Sequence, residues 1–352
     1  MNINIHGPIN NTGYGVATKN IIKGLISLEH KVDLHHIGGT AVDSPNDKDL
    51  FEKLIRSTMQ HPNPTSPTVK IFHQFDLINR IGRGPYLAYP FFELDKFNEL
   101  EKIHLTTPDK IIVSSEWAKN VMLSNGVKQS VDVVPLGVDR SIFNEANYKQ
   151  INRNKYSFIT IGKWEKRKCH DLLPEIFLKA FPKETDVEFW IIANPNTNYC
   201  SPEEAAQWKQ HWERDNRLKV IPGVPSQKDM CNFIANSNCG VYVSRAEGWN
   251  LELLETMSMN RPVIASNVSS HREFCNSENS YLIDMPETEL ADDGKAFRKQ
   301  GNWAKVTNST IDDIIDKMRY CYKNNISINI EGLETAKQLS WENTAQKMVN
   351  LI

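Results

Sequence analysis

The sequence predicts an α/β protein made of two Rossmann-like domains. Short β-branched runs alternate with helical stretches along the whole chain, which is typical of parallel sheets built from βα units. The length of 352 residues suits two domains of about 150 to 180 residues better than one. Between residues 145 and 156 the segment EANYKQINRNKY is polar and has no hydrophobic period, so a linker is predicted there.

In the first half of the chain, a strand is predicted at residues 2–6, followed by a glycine-rich turn and a helix at residues 16–28. The helix is indicated by apolar residues that recur at the spacing of one helical face. The same reasoning predicts the next elements in order: strands at 31–37, 69–72 and 110–114, a helix at 116–125, and a strand at 131–135.

The second half repeats this alternation. Strands are predicted at residues 156–161, 187–192, 218–221, 240–244, 262–265 and 280–283, and helices at 172–180, 201–215, 227–236 and 251–259. The tail at 331–352 is expected to form one amphipathic helix. Residues 286–302, which are acidic and then basic without strand character, are expected to form a surface loop or a short helix.

The composition argues against several classes of protein. The net charge of -2 provides no global field that would recruit nucleic acid or an acidic membrane, although a local basic patch stays open. The start, MNINIHGPINN, lacks the basic and apolar regions of a secretory signal, and no apolar run approaches the roughly 18 residues of a membrane span. The six cysteines are scattered, which favours reduced thiols in a soluble cytoplasmic protein.

The first candidate site is the glycine-rich turn with Gly13 and Gly15. A dinucleotide fingerprint needs a third glycine or alanine where Thr18 stands, and Asp33 lies inside the second strand instead of at its end. The turn still precedes a helix N-terminus, where N–H groups suit a phosphate or sugar oxygen. A purely structural turn explains the composition equally well.

The second candidate site is the basic segment GKWEKRK at residues 162–168, directly after a predicted strand. Ligands of open α/β sheets bind at the carboxyl ends of strands. There, Lys163 and Lys168 could reach a diphosphate as point charges, and Arg167 as a two-pronged donor. A solvated basic loop is the alternative interpretation.

The third candidate site is the junction VSRAEGWNLELLETM. A strand is predicted to end at Ser244 and a helix to begin at Leu251, so the N–H groups of Asn250 and Leu251 would form an anion site at the positive helix end. Glu247 lies in the loop and Glu255 about a turn into the helix, and each carboxylate can accept two hydroxyls. Two ordinary surface glutamates are the alternative for this pair.

These segments together resemble a known family. The stretch EGWNLELLETMSMNRPVIASNVSSHREF is similar to the E-x7-E signature of retaining glycosyltransferase family 4, and RPVIA matches it residue for residue. IGKWEKRKCHDLL resembles the diphosphate loop of that family, IVSSEWAKNVM the last helix of its first domain, VVPLGVDRSIF the exit segment and LSWENTAQKMV the closing helix. The resemblance runs from about residue 105 to the end, and more weakly over the first 40 residues.

The resemblance implies the GT-B fold, in which two Rossmann-like domains face each other across a cleft. The N-terminal acceptor domain would span residues 1–148, and the C-terminal helix, 336–352, would return to it. The C-terminal domain, residues 149–335, would bind the nucleotide-sugar donor.

The resemblance also implies roles for single residues. Glu255 is similar to the glutamate that holds the ribose, Glu247 to the one that contacts the donor sugar, and Lys163 and Lys168 to the cations that bind the diphosphate. The other predicted donor contacts are Arg167, Gly248, Asn250, Leu251, Val224 and Gly15.

The sequence departs from the family in places that bear on these roles. Lys163 stands where arginine is commoner, and Cys169 and Asn250 stand where glycine is usual, so their backbone lacks the freedom of glycine. Residues 40–100 match poorly, and there the acceptor is normally bound. His73, expected at a strand end, and then Glu93 are the acceptor-side candidates; a strand-end histidine without a catalytic role is the alternative for His73.

The implied reaction is a retaining, metal-independent hexosyl or pentosyl transfer from a nucleotide diphosphate to a hydroxyl of a saccharide, a lipid or glycolipid, or a modified DNA base. The predicted catalytic residues are Glu247, Lys168 and His73. The resemblance implies no metal and no cofactor besides the donor. The Asp-Asp pairs at 292–293 and 312–313 agree with the absence of a metal, because they lie in polar segments far from predicted strand ends. A GT-B sugar-nucleotide epimerase and a non-catalytic nucleotide-sugar-binding protein are the alternatives.

Overall fold

The computed structural model describes residues 1–42, 44–148, 154–193, 200–224 and 226–352. These residues divide into two compact units, each with one six-stranded parallel sheet. The first unit comprises Met1–Asp139 and Gln338–Ile352, and the second comprises Arg140–Lys337. The chain therefore enters the second unit ahead of the polar segment 145–156, of which residues 149–153 lie outside the described residues.

The first unit has the strand order β2-β1-β3-β4-β5-β6, with every pair parallel. Its strands are β1 (Asn2–Pro8), β2 (Lys31–Ile37), β3 (Thr68–Lys70), β4 (Tyr86–Ala88), β5 (Lys110–Val113) and β6 (Ser130–Val133). Its connecting helices are α1 (Gly13–Ser27), α2 (Pro45–Gln60), α3 (Glu99–Leu105) and α4 (Glu116–Ser124).

Helix α1 begins earlier than the sequence pattern indicated. It starts at Gly13, so Gly15 lies in its first turn and not in the turn before the helix. A Cβ atom on Gly15 would lie 2.3 Å from the carbonyl oxygen of Asn10. Only glycine therefore allows the helix to begin this close to the end of β1.

The second unit has the strand order β12-β11-β10-β7-β8-β9. Its strands are β7 (Tyr156–Ile161), β8 (Val187–Ala193), β9 (Leu218–Pro222), β10 (Cys239–Tyr242), β11 (Val263–Ser266) and β12 (Tyr281–Ile283). Its helices are α5 (Leu173–Ala180), α6 (Pro202–Trp212), α7 (Gln227–Ala235), α8 (Leu251–Ser258), α9 (Asn308–Lys323) and α10 (Ile330–Gln338). Strands β7 and β10 are neighbours at the point where the strand order reverses, which is where open α/β sheets bind ligands.

The expectation of a loop or short helix at 286–302 was wrong. This segment contains β13 (Thr288–Asp292) and the start of β14 (Arg298–Ala304), which pair as an antiparallel hairpin. Half of the strand residues are exposed, polar and charged residues outnumber the apolar ones, and the register shifts between Leu290 and Asp292. These features remove the apolar alternation by which a strand is recognised in a sequence.

The expectation of one helix at 331–352 was also wrong. The tail breaks between α10 and α11 (Trp341–Val349), because Ser340 pairs with Val138 as a β-bridge and its Oγ accepts the N–H of Asn343 as an N-cap. Helix α11 belongs to the first unit and packs on α1, where the Trp341 carbonyl approaches Gly24 so closely that a Cβ would lie 2.8 Å away. The return of the last helix to the N-terminal domain is confirmed.

No helix in the described part of the chain combines the length and the apolar character needed to cross a bilayer.

Candidate functional site

Two loops meet at the centre of the second sheet. One follows β7 and contains the 3₁₀ turn Lys166–Lys168, and the other follows β10 and leads into α8. Because β7 and β10 are adjacent and parallel, both loops leave the same edge of the sheet. The two predicted sites, the basic segment and the E-x7-E junction, therefore lie side by side.

A cluster of buried charges joins these loops. Lys168 Nζ lies 3.0 Å from Glu247 Oε1, and Arg167 Nη1 lies 2.7 Å from Glu247 Oε2. The hydroxyl of Ser244 donates a further bond of 2.7 Å to Oε1. The side chains of Arg167, Lys168 and Glu247 are each less than a tenth exposed, so the interpretation as a solvated loop is wrong for these residues.

The charges in this cluster stabilise each other. Burial alone would raise the pKa of Glu247, but the cations of Arg167 and Lys168 more than offset it and hold the pKa well below its usual value. Burial alone would lower the pKa of Lys168, and the carboxylates of Glu247 and Glu252 overcome it, so this pKa is raised. Glu247 and Lys168 are therefore both charged at neutral pH.

Arg167 makes its bonds mainly within the protein. Its Nε and Nη2 donate to Glu165 Oε2 at 3.0 and 2.7 Å, and Nη1 donates to the carbonyl of Ala246 at 2.7 Å. Each guanidinium nitrogen thus faces a protein acceptor, and the side chain ties the β7 loop to the β10 loop. The two cations, Arg167 and Lys168, and the two carboxylates, Glu165 and Glu247, sum to a charge of zero.

Backbone geometry in the β7 loop places Lys168. Gly162 has a φ of 153°, and a Cβ there would lie 2.5 Å from Cδ of Lys168. The lysine stem therefore lies directly over the glycine. Cys169, which stands where the family has glycine, adopts a left-handed φ of 54°. Its side chain is buried, and burial raises the pKa of the thiol to about 12.

Asn250, at the start of α8, has a left-handed backbone conformation like that of Cys169. It has a φ of 86°, although the family that the sequence resembles usually has glycine at this position, and its Oδ1 accepts the N–H of Leu253 at 3.3 Å. The first N–H groups of a helix have no acceptor within the helix, so those around Leu251 are oriented outward from the helix end. Glu255 follows one turn later and is buried.

The remaining donor-side predictions are placed as follows. Lys163 is half-buried at the start of the β7 loop, and Gly248 lies between Glu247 and Asn250. Val224 lies after β9, two strands away from β7 in the sheet order. Within the described ranges, no group of three or more His, Cys, Asp or Glu side chains is placed to hold a metal ion.

In the first unit, His73 belongs to an aromatic cluster. Its ring stacks on Phe75 at 4.7 Å between centroids and an interplanar angle of 8°, and it meets the Tyr14 ring edge-on at 4.5 Å. The Tyr14 hydroxyl donates to the Phe91 carbonyl at 2.7 Å and accepts the Phe91 N–H at 2.8 Å. Glu93 is half-buried two residues further on. The cluster thus joins the glycine-rich segment to His73, and sequence reasoning missed Tyr14, Phe75 and Phe91.

Sequence reasoning also missed Arg245, which braces the β7 loop. Its guanidinium donates to the Lys166 carbonyl, lies 3.3 Å from Asp171 Oδ1 and covers the Trp303 ring at 5.6 Å. The β14 strand that carries Trp303 thereby supports the loop that carries Lys168. The only feature of the sequence that could have pointed to Arg245 is its position directly after a predicted apolar strand.

Comparisons with known proteins agree with this geometry. Residues 155–295 match the family described as Glycosyl transferases group 1. The chain is similar in structure to a sucrose-phosphate synthase from Thermosynechococcus elongatus, with a TM-score of 0.70 and 13% identity over 100% of this chain and 98% of that one. The fold is GT-B.

Two further GT-B structures are similar over nearly the full length. One is a glycosyltransferase from Rickettsia africae, with a TM-score of 0.70 and 14% identity over 99% of this chain and 97% of that one. The other is HepE from Anabaena in complex with UDP-glucose, with a TM-score of 0.67 and 13% identity over 100% and 99%. No curated protein sequence matches the chain. The family match includes the whole charge cluster, and together with the fold it supports glycosyl transfer.

Proposed function

We propose that this protein is a retaining, metal-independent glycosyltransferase that moves a sugar from a nucleotide diphosphate to a hydroxyl acceptor. The observation that carries the proposal is the buried cluster of Lys168, Arg167 and Glu247 beside the N-terminus of α8, inside the segment that matches a glycosyltransferase family. A buried cation next to a helix N-terminus is suited to bind and stabilise a diphosphate.

The diphosphate is assigned to Lys168, Lys163 and the amide groups that open α8. An ammonium group has three N–H donors, and the bond to Glu247 uses one of those of Lys168. Since Arg167, Lys168, Glu165 and Glu247 sum to zero, the net positive charge for the ligand comes from Lys163 and the helix end. Arg167 then acts mainly by holding the loop after β7 against the loop after β10.

The reaction needs charge stabilisation more than a protein nucleophile. The bond between the anomeric carbon and the phosphate oxygen breaks, and the acceptor oxygen bonds to that carbon on the same face. The acceptor proton passes to an oxygen of the departing diphosphate, so atoms and charge balance. Negative charge grows on the diphosphate next to Lys168, which is already oriented by Glu247 and needs no reorganisation.

Glu247 also remains able to contact the donor sugar. A carboxylate has about four acceptor directions, and three are used by Ser244, Lys168 and Arg167. The direction left on Oε2 suits one sugar hydroxyl. Glu255 is assigned to the ribose and Val224 to the base, with backbone contacts from Gly248, Asn250 and Leu251. Gly15 is assigned as a further donor contact, and His73 is assigned to the acceptor side. The free thiols of the described cysteines fit a cytoplasmic location.

A donor screen with product analysis tests the proposal. UDP-, GDP- and ADP-sugars are titrated by calorimetry, beginning with UDP-glucose because the similar HepE structure holds it. We expect one donor class to bind, and NMR of the product to show the anomeric configuration of the donor, with turnover unchanged by a chelator. A donor that is converted without any acceptor indicates an epimerase, and binding without turnover across saccharide, lipid and DNA acceptors indicates a binding protein. Inversion at the anomeric carbon contradicts the retaining mechanism.

A further inference from the structure

The 3₁₀ turn Ser269–Glu273 holds the loop that contains Glu247 and Asn250. The Oγ of Ser269 accepts the N–H of Glu247 at 2.7 Å, and the N–H of Ser270 donates to the carbonyl of Glu247 at 3.3 Å. The Nε2 of His271 lies 2.9 Å from Nδ2 of Asn250. Three consecutive residues therefore make three bonds to this one loop, and His271 makes the bond nearest to α8.

The surroundings of His271 decide its tautomer. Its Nδ1 lies 2.9 Å from the carbonyl oxygen of Ser266, which can only accept, so Nδ1 carries the hydrogen. Burial lowers the pKa of His271 to about 4, so the ring is neutral at pH 7 and Nε2 is an acceptor. Asn250 must then present its NH₂ group to His271, which leaves Oδ1 for the N–H of Leu253.

This chain of bonds supports a backbone conformation that residues other than glycine seldom adopt, asparagine more readily than most. Asn250 has a φ of 86° and a ψ of 78°, in the left-handed region, where a side chain costs free energy that glycine does not. Its amide is bonded on one side to His271 and on the other to Leu253. Because the side chain is held at both ends, the backbone that leads into α8 is held with it.

We infer that His271 is a positioning residue that orients the amide groups at the start of α8 for a phosphate-bearing ligand. This inference rests on the proposed function, for which that ligand is the nucleotide diphosphate of the donor. His271 acts through Asn250, and the ligand contacts the backbone that Asn250 shapes. The turn Ser269–Glu273 thus supports the donor site through its bonds to the loop of Glu247 and Asn250, without contacting the ligand itself.

The first test uses substitution and rescue, with the binding of a UDP-sugar measured by calorimetry. His271→Phe keeps a ring but leaves the Asn250 amide without its acceptor, and we expect the donor to bind about tenfold more weakly. Adding Asn250→Gly should restore affinity to within about threefold of the parent, because glycine adopts this backbone without side-chain support. The control is Tyr156→Phe, which removes a buried side-chain bond to the Ile326 carbonyl at the opposite end of β7 and should leave binding unchanged.

The rescue separates positioning from general loss of structure. A merely structural role for His271 predicts that the double variant binds no better than His271→Phe, and that result overturns the inference. If the parent protein binds no nucleotide sugar, the proposed function is wrong, and the assignment of the diphosphate as the ligand of this helix end is wrong as well.

A second readout needs no ligand. Long-range ¹H–¹⁵N NMR of the histidine rings should show His271 with its proton on Nδ1 and an unprotonated Nε2 between pH 6 and 8 in the parent, as the Ser266 carbonyl requires. A proton on Nε2 would contradict the chain of bonds and overturn the inference, whatever the donor screen shows.

Discussion

The two units place different chemistry at the carboxyl ends of their strands. In the second unit, the loops after β7 and β10 bury two cations and two carboxylates in a network of short bonds. In the first unit, the segments after β1 and β3 bring together Tyr14, His73 and Phe75. The rings of His73 and Phe75 stack, Tyr14 meets His73 edge-on, and Phe75 is 47% exposed. The carboxyl-end edge of the sheet thus carries buried charges in the second unit and partly exposed rings in the first.

The difference indicates that the two units are preorganised for a ligand to different degrees. Burying charges costs free energy that only good mutual geometry offsets, so such a cluster is rigid and matches a ligand group of constant charge. Half-exposed rings offer flat apolar surface that accepts many ring-shaped or apolar ligands. This is the division expected of a transferase with a uniform diphosphate donor and a more variable acceptor.

The largest expected effect comes from removing the carboxylate of the buried cluster. Glu247→Gln preserves the shape of the side chain but leaves Arg167 and Lys168 buried without their shared charge. We expect the free energy of unfolding to fall by about 3 to 5 kcal/mol, as for other broken buried ion pairs. Urea unfolding measures it, with Glu278→Gln at an exposed glutamate outside the cluster as the control, which should cost less than about 0.5 kcal/mol. A loss below about 1 kcal/mol for Glu247→Gln would show that the cluster is not tightly coupled.

A somewhat smaller effect should appear in catalysis when the cation itself is removed. Lys168→Met keeps the stem that lies over Gly162 but removes the charge that the proposed function places next to the diphosphate. Because that charge matters most as the leaving group departs, we expect kcat to fall about 100-fold and the KM for the donor to rise less than about tenfold. The matched control is Lys166→Met, an exposed lysine of the same loop. Equal changes in kcat and KM would mean that Lys168 serves only to bind the donor.

The burial of the second unit's site also predicts a dependence of stability on pH. His170 is fully buried edge-on against Trp164 and Trp212, and burial, reinforced by the charge of Lys168, lowers its pKa from 6.5 to about 3. The unfolded chain binds this proton below pH 6.5 and the folded protein only below about pH 3, so stability falls as the pH drops between these values. At pH 5 the loss reaches about 2 kcal/mol, at about 1.4 kcal/mol per pH unit.

The variant His170→Phe tests this dependence because it keeps a ring in place and removes the titrating group. The drop in the free energy of unfolding between pH 7 and pH 5 should be about 2 kcal/mol smaller than in the parent. Urea unfolding followed by tryptophan fluorescence at both pH values provides the measurement. An identical drop in the two proteins would place the acid sensitivity elsewhere.

The smallest effect is expected in the first unit. Phe75→Ala removes a half-exposed ring that stacks on His73, so stability should change by less than about 1 kcal/mol and donor affinity should stay the same. Under the proposed function, the KM for the acceptor should rise several-fold. Ile78→Ala, which is 50% exposed on the same segment, is the control for lost apolar area without stacking. If Phe75→Ala changed the donor affinity and left the acceptor KM unaltered, the division between the units would be wrong.

Several features of the fold were predictable because they follow from local patterns. The predicted strands reappear in two parallel sheets, since buried parallel strands are apolar runs between helical stretches. Helix α2 was missed because it buries few side chains, namely Phe51 and Thr58 among its 16 residues, so its apolar stripe is too narrow to recognise. Strand β4, with three residues, is too short to show a period.

By itself the sequence determined the alternation of strands and helices and the order of the segments that carry Lys168, Glu247 and Glu255. Only the tertiary structure decided that Lys168 bonds to Glu247, 79 residues away, that Arg167 faces protein acceptors, and that His271 reaches Asn250. The physical reason is that periodicity reports burial along one segment. Contacts between loops depend on which strands become neighbours, and the pairing of β7 with β10 is set by the packing of the whole sheet.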